Sequence, residues 1–216
     1  MTITHLGLLG GTFDPIHQAH LECALAVQQA LKLDRVDLLP NAVPPHKASP
    51  GVSAAQRLAM VKLAIADYPQ LGVDDRELAR SGHSYSVDTL AQLKAEQPDT
   101  RLYFIAGMDS LLSFHHWHQW QRILQLCHLV ICYRPGYPLP QQPQTQGATM
   151  ALLSQHQVAD VAALRQRDSG GILLLEGPQL DIASSDIRRQ LSGVEPVNLG
   201  LPAAVLTYIH QQRLYR

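Results

Sequence analysis

The sequence predicts a doubly wound, Rossmann-like α/β fold, a parallel sheet flanked by helices with extra C-terminal helices, and three observations carry that prediction. Short apolar runs alternate with segments of helical period along most of the chain. The first run stops at a Gly-Gly pair that leads directly into a helical pattern. Nothing breaks this order, neither an internal repeat nor an apolar run near the ~18 residues of a membrane span. With 216 residues and 46% hydrophobic content, the chain suits one sizeable core, so a single domain over 1–216 is expected.

Taken in order, ITHLGLL at 3–9 reads as a strand closed by Gly10 and Gly11. Residues 18–33 place Leu21, Ala24, Leu25, Val27 and Leu31 at helical spacing. The run 36–39 stops at Pro40-Asn41, so about 40 residues form one βαβ unit with the usual right-handed crossover. A Pro-rich loop over 41–51 precedes a helix at 54–66, a short strand at 71–73 and a helix at 86–96. A strand at 102–106 ends at Gly107, then come a helix over 117–126 and a strand over 129–133. The stretch 135–147, with four prolines and four glutamines, reads as a long exposed loop. Beyond it lie a helical segment at 150–165, a strand at 172–175, a helix opened by Ser184-Ser185, and a last helix at 202–212. In such a fold, ligands are expected at the carboxyl ends of the strands.

Net charge is −1, so no global field recruits nucleic acid or an anionic membrane, and a polyanionic ligand must be met by local groups. The three cysteines, Cys23, Cys127 and Cys132, lack C-x-x-C spacing and read as small core residues in a reducing compartment. Without a basic n-region at its start, the chain is expected to be cytoplasmic.

Four stretches carry candidate chemistry. In "LGGTFDPIHQAHLE", glycines let backbone approach a ligand, and the following helix start offers unpaired N–H groups to a phosphate. Neither G-x-x-x-x-G-K-[S/T] nor G-x-G-x-x-G is present; instead His17 and His20, at i and i+3, can reach one anion. The same pair also suits two solvated histidines or part of a metal site, although no third ligand is evident nearby. In "GPQLDIASSDIRRQL", Ser184 or Ser185 is a good N-cap and Asp186 favours a helix start. Arg188, placed in the first turn, opposes the dipole unless an anion sits there, which makes it a candidate phosphate grip. "PNAVPPHKAS" presents His46 and Lys47 from a stiff loop after the second strand. "FIAGMDSLLSFHHWHQW" offers Gly107 for close approach of a nucleoside, Asp109 as acceptor for a ribose hydroxyl, and Trp117 as a stacking surface. Trp120 reads as core, and His115, His116 and His118 as a solvated segment.

"GGTFDPIHQAH" resembles the first signature of nucleotidyltransferases with a (T/H)-x-G-H-type motif. "DIASSDIR" resembles their second, I-S-S-[S/T]-x-I-R, with Ala183 in place of the usual serine. Together with PPHK, "SYSVDTL", the G-x-D segment and "YRPG", the order and spacing resemble the bacterial nicotinate-nucleotide adenylyltransferase family over nearly the whole chain. The resemblance implies transfer of AMP from ATP to nicotinate mononucleotide, giving deamido-NAD and pyrophosphate, with Mg²⁺ bound to ATP rather than to side chains. It implies catalytic roles for His17, His20, Lys47 and Arg188, and ATP contacts at Gly10, Gly11, Thr12, Phe13, Gly107, Asp109, Ile182, Ser184 and Ser185. Asn41, Tyr85, Ser86, Thr89, Trp117 and Arg134 would meet nicotinate mononucleotide, and the segment 177–216 would complete the nucleotide site. His118 stands where some members carry an aromatic residue. No nucleic-acid or membrane partner is implied, and the expected state is a monomer or small homo-oligomer. The alternatives are a nicotinamide mononucleotide adenylyltransferase, the related pantetheine-phosphate adenylyltransferases and cytidylyltransferases, and a non-catalytic nucleotide-binding regulatory module.

Overall fold

The computed structural model of the protein describes residues 3–42, 52–80, 84–133, 143–178, 180–192 and 200–216. Six parallel strands form one sheet: β1 (Thr4–Gly11), β2 (Arg35–Pro40), β3 (Leu71–Val73), β4 (Thr100–Gly107), β5 (His128–Tyr133) and β6 (Ile172–Glu176). Their order is β3-β2-β1-β4-β5-β6. The chain therefore winds outward from β1 in one direction, returns to the centre at β4, and winds outward in the other, so the expected doubly wound architecture is observed. Leu9 of β1 is in register with Leu38 of β2 and Ile105 of β4, which puts the glycine-bearing ends of β1 and β4 side by side. That reversal point is where such sheets open a crevice.

Alternation along the strands builds a core on each face. Leu9, Tyr103, Ile105 and Val130 pack on one side with α1 (Gln18–Leu31), α2 (Ala54–Ile65) and α9 (Ala203–Gln212). Leu6, Leu8, Leu102, Phe104, Leu129 and Ile131 pack on the other with α3 (Ser86–Glu96), α4 (Met108–Ser113), α5 (Trp120–Leu126) and α6 (Pro143–His156). Helix starts follow local chemistry. At α2, the Ser53 hydroxyl accepts from the Gln56 N–H at 3.2 Å, while Gln56 Oε1 accepts from the Ser53 N–H at 2.9 Å.

Several local expectations are corrected. α6 begins at Pro143, inside the stretch read as loop; proline is tolerated at a first helical position, where its missing N–H has no partner to lose. The segment read as one helix at 150–165 is two, because Gln157 bridges to Ile172 and the Asp160 carboxylate caps α7 (Val161–Arg165) through the Ala163 N–H at 2.7 Å. The helix expected from Trp117 starts only at Trp120; α4 and a 3-10 turn at Phe114–His116 precede it. The N-cap of α8 (Ser184–Leu191) is Ala183, not Ser184 or Ser185, and Arg188 lies in its second turn, so the dipole argument for that arginine does not apply.

Candidate functional site

A cavity of about 1030 Å³ opens at the carboxyl ends of β1 and β4. It gathers Gly10, Gly11, Thr12, Phe13, His17, His20, Asn41, Tyr85, Ser86, Gly107, Asp109, Trp117, Ile182, Ser184, Ser185 and Arg188 into one lining, although they span most of the chain. Lys47 and Arg134 lie outside the described residues.

The glycines at the end of β1 make room for the protein's own rings. A Cβ on Gly10 would come within 3.0 Å of Phe104, and one on Gly11 within 2.8 Å of Phe13. Phe13 is buried in left-handed backbone at φ 50°, and its ring meets His20 edge-on at 5.1 Å. His17 is the N-cap of α1, and its ring stacks on that of His20 at 3.7 Å. The His17 backbone N–H donates to His20 Nδ1 at 3.3 Å. An accepting Nδ1 leaves the proton of the neutral ring on Nε2, so the helix start sets the tautomer of His20.

The turn before His17 is held from several sides. Arg188 Nη1 donates to the Asp14 carbonyl at 2.6 Å, and the Ser184 hydroxyl donates to the Pro15 carbonyl at 3.0 Å. Between residues far apart in sequence, the Gln18 N–H donates to the Gly200 carbonyl at 2.8 Å. Gly200 has φ 59°, and a Cβ there would strike Ile182, so only glycine fits. Arg57, which sequence reading missed, is 1% exposed and donates to the carbonyls of Thr12 (2.6 Å), Asn41 (2.8 Å) and Ala42 (3.3 Å). Burial lowers its pKa, and the Asp14 carboxylate opposes that shift. A signal existed: Arg57, Met60, Val61 and Ala64 lie at i, i+3, i+4 and i+7 on the buried face of α2, so an arginine occupies a core position.

Across the cavity stands an aromatic wall. Tyr85 and His118 face each other at 4.5 Å, and Trp117 packs edge-on against Phe104 at 5.8 Å and tilted against Phe114 at 5.5 Å. Ser86 is the first residue of α3 and lines the cavity beside them. Thr89 does not reach the lining. It is fully buried, donates to Glu77 Oε1 at 2.7 Å and accepts from Arg80 Nη2 at 2.6 Å. Burial pushes the Glu77 pKa up, and Ser84 Oγ accepts the Ala42 N–H at 3.0 Å. Thr89 therefore supports the wall from behind.

Asn41 Oδ1 is buried without a hydrogen-bond partner among the described residues, an acceptor suited to a ligand hydroxyl. Asp109 is exposed at the first turn of α4, and a Cβ on Gly107 would lie 2.7 Å from its Oδ1. That glycine thus accommodates a carboxylate folded over the strand end. Cys23 and Cys132 are packed against the core, as expected, and both also line the cavity. Among the described residues, no three His, Cys, Asp or Glu side chains converge as a metal site, and no helix is long and apolar enough to cross a membrane.

Residues 8–190 match the cytidylyltransferase-like family. A protein of Aeromonas salmonicida described as "Probable nicotinate-nucleotide adenylyltransferase" is 46% identical over 98% of this chain and 97% of its own. One of Yersinia pestis with the same description is 48% identical, over 97% and 94%. Among solved structures, nicotinic acid mononucleotide adenylyltransferase of Plasmodium falciparum complexed with NaAD superposes with a TM-score of 0.73 at 18% identity, covering 98% of this chain and 97% of that one. The same enzyme complexed with APC gives 0.70. The chain belongs to the cytidylyltransferase-like family and, within it, to the nicotinate-nucleotide adenylyltransferases.

Proposed function

We infer that the protein transfers AMP from ATP to nicotinate mononucleotide, forming nicotinate adenine dinucleotide and pyrophosphate. One observation carries this reading. A single cavity joins a donor-rich end built from His17, His20, Ser184, Ser185 and Arg188 to an aromatic end built from Tyr85, Trp117 and His118. Such a space suits two nucleotides meeting through their phosphates.

The nucleophile is the phosphate monoester of the mononucleotide, largely dianionic at neutral pH because its second pKa is about 6. Its oxygen attacks the α-phosphorus of ATP, the bond to the β-phosphate oxygen breaks, and pyrophosphate leaves with the electron pair. A base is unnecessary; what must be supplied is alignment of two anions and donors for the charge on the transferring and leaving groups. His17 and His20 would donate to the α- and β-phosphates, with the Nε2 proton of His20 as the principal transition-state donor; their shared place in the cavity lining supports this. Arg188, with Ser185 and the start of α8, would hold the β- and γ-phosphates, joined by Lys47 from its loop. Gly107 and Asp109 would lie at the adenosine end, and Asn41 with Arg134 would meet the mononucleotide while its pyridine ring stacks on Trp117.

The donor set at the phosphate end is imidazole, guanidinium, hydroxyl and backbone N–H, not a cage of oxygens, which fits a divalent cation that arrives on ATP rather than one bound by side chains. Mg²⁺ is the ion we propose; when bound it neutralises charge on the phosphates. The working unit is taken to be one domain over 1–216, completed by its segment 177–216.

Purified protein incubated with ATP and nicotinate mononucleotide should release pyrophosphate, and the acid should turn over faster than nicotinamide mononucleotide. A clear preference for the amide would overturn the choice of substrate. ATP binding without pyrophosphate release would mark a regulatory module.

A further inference from the structure

We propose that Tyr215 is a positioning residue for the transfer, holding by its hydroxyl the Asp14–Pro15 turn from which the two histidines are presented. This deepens the reading above and rests on it.

The Tyr215 hydroxyl donates to Asp14 Oδ1 at 2.6 Å. Asp14 is 7% exposed and sits three residues before His17, and its carbonyl takes the 2.6 Å bond from Arg188. A single residue thus links Tyr215 to both the histidine pair and the arginine. The carboxylate's other oxygen, Oδ2, lies 3.9 Å from Arg188 Nη1, so Tyr215 also determines which way Asp14 faces that guanidinium.

The backbone is bent to make this contact. Arg213 and Tyr215 both adopt left-handed conformations, φ 53° and 61°, which are unfavourable for residues with a Cβ. Such strain persists where surrounding contacts over-determine it, and here the bend carries the chain from the end of α9 back to the turn. Burial and the neighbouring carboxylate push the Tyr215 pKa up, so the phenol stays protonated and remains a donor across the working pH range. Asp14 lies in the first sequence signature and lines the cavity, whereas Tyr215 is part of neither signature and is absent from the lining. Its influence runs through Asp14.

Tyr215→Phe keeps the ring and removes only the donor. We expect kcat to fall about tenfold while KM for the mononucleotide changes less than twofold and the melting temperature moves little; a loss of packing alone would not produce that split. Asp14→Ala and the double variant complete a cycle, and a shared contact requires the double variant to be no slower than Asp14→Ala within a factor of two. Retention of more than half of kcat in Tyr215→Phe, or losses that multiply in the double variant, overturns the proposal. Should Tyr215→Phe fail to fold, Asp14→Asn, which preserves an acceptor, is expected to keep kcat within threefold; a loss as large as that of Asp14→Ala overturns it. Amide hydrogen exchange over residues 13–20 should quicken in Tyr215→Phe whatever substrate the enzyme uses. Wild-type protein that fails to turn over ATP and nicotinate mononucleotide sinks the proposed activity, whereas unchanged exchange sinks the positioning role.

Discussion

Around the Asp14–Pro15 turn, hydrogen bonds of 2.6 Å from Arg57, Arg188 and Tyr215 and one of 3.0 Å from Ser184 converge on a few backbone and side-chain oxygens. Across the cavity, the faces of Tyr85, Trp117 and His118 are held by ring contacts of 4.5 to 5.8 Å. Hydrogen bonds are directional and fix atoms within fractions of an ångström; ring contacts tolerate tilt and slide. In the proposed reaction, the first kind of support suits the end where charge would develop on phosphorus, since misplacing a donor there costs rate directly. The second suits a surface that has only to cover a planar heterocycle. Even so, the backbone beneath the aromatic wall is pinned by Glu77, Thr89 and Ser84. It is the side chains that are left adaptable.

That contrast can be broken by substitution. The largest effect is expected from His20→Ala, which should lower kcat by about a hundredfold or more in steady-state assays with KM for the mononucleotide little changed; a loss under threefold would remove His20 from the transition state. Next comes Arg57→Met, which strips donors from three carbonyls. We expect a stability loss of about 3 kcal/mol by urea titration, together with a fall in kcat of more than tenfold in folded protein. Normal kcat in that variant would mean that the Thr12 and Asn41 carbonyls need no tether. Trp117→Ala should act in the opposite sense, raising KM for the mononucleotide about tenfold with kcat within threefold. A kcat effect as large as that of His20→Ala would erase the distinction between the walls.

The smallest effect on catalysis is expected from pH acting on His128, which lies at the start of β5, away from the cavity. It is fully buried, accepts the Gly171 N–H at Nδ1 (3.2 Å) and donates to the Arg167 carbonyl at 3.2 Å; burial pushes its pKa down to about 4. The folded state binds this proton less readily than the unfolded chain, whose value is near 6.5. The stabilisation is therefore complete above pH ~6.5 and is lost as pH falls toward 4, by up to about 3 kcal/mol. Chemical denaturation across that range should show the slope, and His128→Gln should flatten it. An equal slope in that variant would assign the effect to other groups.

The order of strands and helices was legible because burial imposes a period, and β3 and α3 fall on the residues that periodicity indicated. Boundaries moved where a tertiary contact decided them, as at Gln157, which pairs with Ile172 and ends a helix that its own sequence would continue. The glycines, His17 and His20 were legible because a helix start has its own chemistry. Arg57 was legible only in part. An arginine on an apolar helix face is a visible anomaly, but its partners are carbonyls of loops 15 to 45 residues away, which no local pattern announces. Thr89 was read as a ligand contact from the resemblance, but it stands one turn before Leu93 and beside Leu90 on the buried face of α3, which turns it inward. Tyr215 left no signal, since its contact spans 201 positions.

Parallel strands give the sheet a polarity that has an engineering consequence. The carboxyl ends of β1, β2, β4 and β5 line the cavity, while the amino edge carries contacts such as Arg101 to the Arg165 carbonyl and to Asp168, and the stacked pair Tyr103 and His128. Robustness and chemistry are thus housed at opposite edges of one layer. Stabilising substitutions can be sought along the amino edge, where distance from the cavity favours additive effects.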